Sequence, residues 1–240
     1  MKVIIADEIR EMFPELRIAV LACSDVDNQS SYKQTSSLLA DEARLLSSWL
    51  SESEVANLPE IQAWQETYSI VGHKPKKNRP SAENLIRSVL AGNLGRSISP
   101  VVDIYLAAQL RWRLPIGGYD LSKTKGNVVL RRSPGGERFR PIGSATDGDP
   151  TKPGEVVYAD DEGVLTRRWN WRDGDRAKIT GESRSIVLMS EAPSLAIPTE
   201  SLIALIEFLS RYLRDLCCGN VIAKIIDSSQ VSEVKIKVDR

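Results

Sequence analysis

Two hydrophobic periods divide this chain. Leu202, Ile203, Leu205, Ile206, Leu209, Tyr212, Leu213 and Leu216 recur at three- and four-residue spacing. That spacing predicts a helix over 198–218, with Gly219 just past its end. Val101, Val102, Ile104, Tyr105, Ala108 and Leu110 repeat in the same way behind Ser99 and Pro100. Ser99 is a capping residue, and proline suits a first helical position because its missing N–H would go unused there. Pro115 and the pair Gly117-Gly118 close that helix, and the glycines read as a tight turn. Helices are also expected over 30–50, 59–70 and 81–91, with a short one over 7–13 that ends near Pro14. Residues 3–5 and 16–22 are apolar, β-branched runs of strand length.

After Asp120 the chain reads mostly as β. Runs 127–131 and 137–142 flank Ser133-Pro134-Gly135-Gly136, and runs 155–158 and 163–169 flank Ala159-Asp160-Asp161-Glu162, so two hairpins are expected. Residues 146–154 form a polar loop. Residues 185–190 make another strand, and 221–226 and 234–238 are short runs that can pair with each other. The whole reads as an α+β protein of mixed β-sheets layered with helices. The stretch Gly72–Pro80, with two prolines, one glycine and four Lys or Arg residues, is the clearest boundary. It sets residues 1–71 apart as an N-terminal α/β lobe, either separate from or integral to the fold of 72–240.

Composition changes this picture little. Of 240 residues 42% are hydrophobic, enough for a sizeable core. Lys plus Arg and Asp plus Glu both number 32, so only local patches of charge can serve a nucleic acid. Cys23, Cys217 and Cys218 have no metal-ligand spacing and read as reduced thiols of a cytoplasmic protein. The N-terminus does not read as a signal peptide, and no apolar run reads as a membrane span. No phosphate-loop, nucleophile-elbow or dinucleotide fingerprint is present, and neither a cofactor nor a metal is expected.

One ordered series of small motifs carries more. It runs from the helix to Pro115-Ile116-Gly117-Gly118-Tyr119-Asp120-Leu121, then Lys125-Gly126, Arg131 and Gly136-Glu137. The series resembles the B3/B4 domain of the phenylalanyl-tRNA synthetase beta subunit. In that family the domain hydrolyses tRNA charged with the wrong amino acid. No aminoacylation motif accompanies the series here. The resemblance therefore implies a free-standing editing deacylase, an ester hydrolase and not a complete ligase, with the aminoacylated 3′ end of tRNA as its partner. The other readings are a non-catalytic RNA or amino-acid binding module and a partner-dependent synthetase-like subunit.

The candidate pocket residues are Gly117, Gly118, Tyr119, Asn170, Arg172 and Glu191. Two glycines let a ligand approach the backbone. In the related domain the position of Gly117 is typically a histidine, and a glutamate near Glu191 contacts the substrate side chain. In a strand over 167–178, Trp169 and Trp171 share one face and Arg168, Asn170 and Arg172 the other. The tryptophans then either stack on an RNA base or enter the core. Candidate tRNA-backbone contacts are Lys74, Lys76, Lys77, Arg79, Lys125, Arg138, Arg140 and Arg168, each otherwise a solvated surface charge. His73, the only histidine, reads as a surface residue.

Overall fold

A computed structural model describes residues 1–74 and 77–236. Its layers sort around β2, Arg17–Ser24. This strand pairs antiparallel with β8, Ile186–Ala192, on one side and with β9, Asn220–Asp227, on the other. With β3, Ile116–Asp120, they form a four-stranded sheet in the order β3-β8-β2-β9. Side chains alternate along a strand, so Ala19, Leu21 and Cys23 face one way and Ile18, Val20 and Ala22 the other. The first set packs with the helices α2, Tyr32–Trp49, α5, Pro100–Trp112, and α6, Thr199–Cys217. The second set meets a six-stranded sheet. A strand covered on both faces reads in the sequence as an unbroken apolar run, and β2 does.

The six-stranded sheet has the order β10-β1-β4-β5-β6-β7, from β10 (Glu233–Lys235), β1 (Lys2–Ile5), β4 (Val128–Arg132), β5 (Val156–Asp160), β6 (Gly163–Arg167) and β7 (Arg172–Asp173). β1 and β4 are parallel and the other pairs antiparallel, so this sheet is mixed. The result is three layers: helices, four strands, six strands. It is the α+β architecture expected from the sequence. α6 shows why the helical layer holds: Leu202, Leu205, Leu209 and Leu213 are all buried on one stripe, each worth about 1.5–3 kcal/mol of transfer from water.

The first 71 residues are integral to this arrangement. They supply β1 to one sheet and β2 to the other. They also contribute α3, Pro59–Ile70, whose Trp64 and Tyr68 enter the core between the sheets. There the Trp64 and Phe13 rings meet Trp169 edge-on, at 5.4 and 5.1 Å. The remaining helices are α1, Asp7–Met12, and α4, Ser81–Leu90.

Three expectations are corrected. Residues 127–131 and 137–142 do not form a hairpin. β4 pairs with β5 instead, and 137–142 keeps only a bridge between Pro141 and Gly174. The Ser133 hydroxyl bonds Thr151 and Glu137, and Phe139 folds onto Val157, Ala159 and Val164, covering the outer face of the sheet that a hairpin would leave bare. The two late strands do not pair with each other, since β9 joins β2 and β10 joins β1. Residues 237–238 of the second run lie outside the described residues. Finally, Gly117 and Gly118 are not a turn but the interior of β3. The chain reverses earlier, at Arg113, which takes a left-handed φ of 58°. Among the described residues no helix is long and apolar enough to cross a membrane.

Candidate functional site

Strand parity places a carboxylate where the two sheets face each other. Val187 and Met189 of β8 point into the core between the sheets, and Glu191 has the same parity. Its side chain is 3% exposed. The Tyr158 hydroxyl reaches across from β5 and donates to Glu191 Oε1 at 2.7 Å, while Oε2 has no hydrogen-bond partner. Asn170, 8% exposed, accepts from the Tyr68 hydroxyl through Oδ1 at 2.8 Å, and its Nδ2 is buried without a partner. Burial pushes the Glu191 carboxyl up to about 7. The Tyr158 hydroxyl and the nearby Asn170 amide pull the other way, the amide without closing a hydrogen bond, and the charge of Asp173 adds to the rise.

These groups line a cavity of about 50 Å³ that also touches Gly117, Tyr119 and Asp173. Asp173 Oδ1 accepts from the Thr166 hydroxyl at 2.6 Å, and Thr166 in turn shares a 2.6 Å hydrogen bond with Tyr119. Removal from water raises the Asp173 carboxyl too. The Tyr119 and Tyr158 rings meet edge-on at 6.5 Å, and burial holds both hydroxyls well above the ordinary phenol range, so they stay protonated donors. The cavity is thus a small polar space with an unpaired acceptor and an unpaired donor in its wall. The space suits a group a few heavy atoms in size. Thiol chemistry lies elsewhere. Cys23 of β2 and Cys217 of α6 lie where the four-stranded sheet meets the helices, with burial pushing both thiols up to about 12.

The expected strand over 167–178 is interrupted by a turn over 168–171. Arg168 and Trp169 adopt φ of 49° and 67°, a conformation L residues seldom take. The turn breaks the alternation that the sequence suggested. Trp169 goes fully into the core, and Asn170 into the cavity. Trp171 returns toward the surface, with the Arg168 and Arg172 guanidinium carbons 4.3 and 5.0 Å from its ring centre. Asn170 and Arg172 both line the cavity, though Arg172 is exposed. Trp169 thus enters the core, as one of the two readings had it, and Trp171 is half-buried between two cations.

The two glycines part company. A Cβ at Gly117 would meet only Asp173 Oδ1, at 3.9 Å, so this position opens on the cavity with Tyr119. A Cβ at Gly118 would stand 2.9 Å from the Val187 carbonyl oxygen and against the Leu188 and Ile179 side chains. Gly118 therefore faces the helical layer, and its assignment to the pocket is corrected. Parity along β3 is the reason.

A second concavity, of about 530 Å³, lies on the other side of the 168–171 turn. It is lined by His73, Lys74, Lys77, Arg132, Lys152 and Arg168. Its one carboxylate, Glu155, is held by Arg167 through two 2.7 Å hydrogen bonds. Of the basic residues proposed for RNA contact, Lys74, Lys77 and Arg168 converge here. Arg79 turns to Glu83 at 3.4 Å, and Lys125 is exposed away from the groove. Arg138 and Arg140 line a different hollow and share Asp147, which fixes them away from the groove. Lys76 lies outside the described residues. Sequence reasoning missed Tyr158, Thr166 and Lys152, and it left His73 on the surface. Its place in the strand-length run Val156-Val157-Tyr158-Ala159 was the only available signal for Tyr158. Nothing local marked the other three.

Residues 63–204, more than half of the chain, match the B3/4 domain model, and the chain belongs to the B3/4 domain family. Among solved structures it is similar to an N-terminal fragment of the phenylalanyl-tRNA synthetase beta-subunit from Pyrococcus horikoshii. That likeness has 12% identity and a TM-score of 0.46 over 91% of this chain and 49% of the other. The chain thus spans about half the length of that fragment. No curated protein sequence matches it.

Proposed function

We propose that this protein binds the aminoacylated 3′ end of tRNA and hydrolyses mischarged esters in trans. The observation that carries the reading is the pairing of Glu191 Oε2 and Asn170 Nδ2, one acceptor and one donor, both buried and unpartnered in a single small cavity. Leaving such groups unpaired is costly, and a ligand that satisfies both recovers the loss. An ester hydrolysis uses the two directly. Water adds to the ester carbonyl as Glu191 takes its proton, and the carbonyl oxygen becomes an oxyanion beside the Asn170 amide. Collapse then breaks the bond to the ribose oxygen, which leaves with the proton held by Glu191. The free amino acid and the tRNA hydroxyl are the products. A carboxyl with a value of about 7 is suited to both halves of that proton transfer. Donors preset at the oxyanion supply most of the remaining stabilisation.

The test is release of radiolabelled amino acid from a panel of correctly and incorrectly charged tRNAs. The deacylase reading expects faster release than buffer alone for at least one mischarged species, and loss of that release in Glu191→Gln and Asn170→Ala. Binding of charged tRNA without release from any member of the panel selects the non-catalytic module instead.

A further inference from the structure

The groove beyond the 168–171 turn carries more cations than carboxylates. Among the described residues no carboxylate lies within ion-pair distance of Lys74, Lys77, Arg132 or Lys152. Arg168 is 4.0 Å from Glu155, but that carboxylate is already taken up by Arg167. Arg132 lies across Gly154: its Nε donates to the Gly154 carbonyl at 3.4 Å, and a Cβ at Gly154 would stand 2.5 Å from Nη2. A second observation points into the same space. His73 lines the groove, and its Nε2 is buried without a hydrogen-bond partner. The His73 ring rests edge-on against Tyr68 at 5.6 Å, and the Tyr68 hydroxyl bonds Asn170 in the cavity and the Arg168 carbonyl at 2.9 Å. Tyr68 therefore links a groove residue, His73, to a cavity residue, Asn170, and the 168–171 turn contributes Arg168 to the groove and Asn170 to the cavity.

We propose that this groove is a phosphate site: backbone phosphodiesters next to the 3′ end of an RNA strand lie across Lys74, Lys77, Arg132, Lys152 and Arg168, and one of them hydrogen-bonds His73. Five cations in a groove of about 530 Å³ suit a run of phosphates rather than a single ion. The RNA source rests on the deacylase reading above, whereas the phosphate chemistry does not. Without ligand, burial and the charges of Arg168 and Arg167 hold the imidazole below its ordinary value, against a weaker opposing pull from Glu155. Tyr68 meets it as a neutral ring, and Lys74, Lys77, Arg132 and Lys152 add further positive charge along the same groove. A bound phosphate reverses that balance, so binding draws a proton onto His73. The sign follows by linkage: affinity is flat above the bound-state value and rises as pH falls toward the free-state value, by at most about tenfold per pH unit.

His73 is the only histidine in the chain, so its imidazole NMR signal reports on this site alone. The experiment titrates that signal free, with a short uncharged RNA ending in CCA, with AMP and with inorganic phosphate. It is paired with RNA affinity measured against pH and salt. The expected result is an upward shift of the His73 titration with RNA and a three- to tenfold gain in affinity from pH 8 to pH 6. Lys74→Gln with Lys77→Gln, and separately Lys152→Gln, should lower the salt slope by about 0.7 for each cation removed. His73→Gln should bind RNA more weakly than the parent at pH 6 and lose the pH dependence. If that variant unfolds, the parent's NMR titration carries the test. RNA binding that leaves the His73 signal unmoved overturns the proposal. So does an unchanged salt slope in the lysine variants, or a shift produced by phosphate or AMP but not by RNA. A chain that binds RNA as described but releases no amino acid refutes the deacylase reading and keeps this site.

Discussion

Tyr158 on one sheet donates to Glu191 on the other at 2.7 Å, and this hydrogen bond spans the space between the layers. It holds one carboxylate oxygen and leaves the other for a ligand. The arrangement ties the proposed chemistry to pH. The carboxylate form accepts the water proton, so deacylation above the uncatalysed background should rise with pH and level off past about 7. Glu191→Gln should remove that limb and lower the rate at least 100-fold. A parent profile that is flat from pH 5.5 to 8 argues against Glu191 as the base.

The same carboxyl makes stability depend on pH in a fixed direction. Its folded value of about 7 lies above its ordinary value of 4.5, so the folded protein keeps a proton that the unfolded chain releases. Stability is full below 4.5, falls as pH rises toward 7, and is level beyond. The loss is about 3 kcal/mol for a shift of this size. Chemical denaturation of Glu191→Gln and parent at pH 4 and pH 8 should show their difference moving toward the variant by about that amount. A difference that does not move with pH would mean that water reaches the carboxyl.

Gly117 and Gly118 separate a cavity effect from a packing effect. Gly118→Ala puts a methyl against Leu188 and the Val187 carbonyl, and should destabilise by about 1–3 kcal/mol. Gly117→Ala meets open space bounded by Asp173 and should change stability by less than about 1 kcal/mol. It should nevertheless slow deacylation, because its methyl occupies part of a 50 Å³ cavity. Thermal unfolding of both variants checks the assignment, and an unperturbed Gly118→Ala would reverse the two faces of β3.

The tryptophans should divide in the same way. Trp169 is wholly buried between Phe13 and Trp64, and Trp169→Ala should cost about 3–5 kcal/mol. Trp171 is half-buried at the cavity edge with two guanidinium groups near its ring, each such contact worth about 0.5–1 kcal/mol, so Trp171→Ala should cost clearly less than Trp169→Ala. Equal losses in the two variants would contradict the turn geometry.

Much of the fold was legible in the residues. α2, α5 and α6 each bury a stripe with helical period, and β2 and β8 are apolar runs because both faces are covered. β5 and β6 flank a turn that the residue types marked. The candidates Glu191 and Gly117 come from the family likeness, and Asn170 from its place between the tryptophans. What stayed hidden was what no local pattern encodes. Arg168 and Trp169 carry no sign of a left-handed backbone. Gly118 was misplaced because a strand that was read as a turn has no parity. Lys74, Arg132 and Lys152 come from three distant segments, and only the closed fold brings them together. His73 has the neighbours of a surface residue in sequence, but in space its half-buried ring rests edge-on against Tyr68.

The pairing of Arg17 with Asp227 and of Val3 with Val234 has a consequence for how the chain comes off the ribosome. One edge of each early strand must wait for a partner made at the far end of the chain. A nascent chain that has reached only α5 carries β2 with both edges unpaired and its two apolar faces uncovered by strands or by α6. Long-range pairings of this kind close slowly, and an exposed apolar edge attracts other chains in the meantime. Truncation before β9 should therefore give aggregation rather than a smaller folded protein, and the yield of soluble chain should depend on how fast the last strands are delivered.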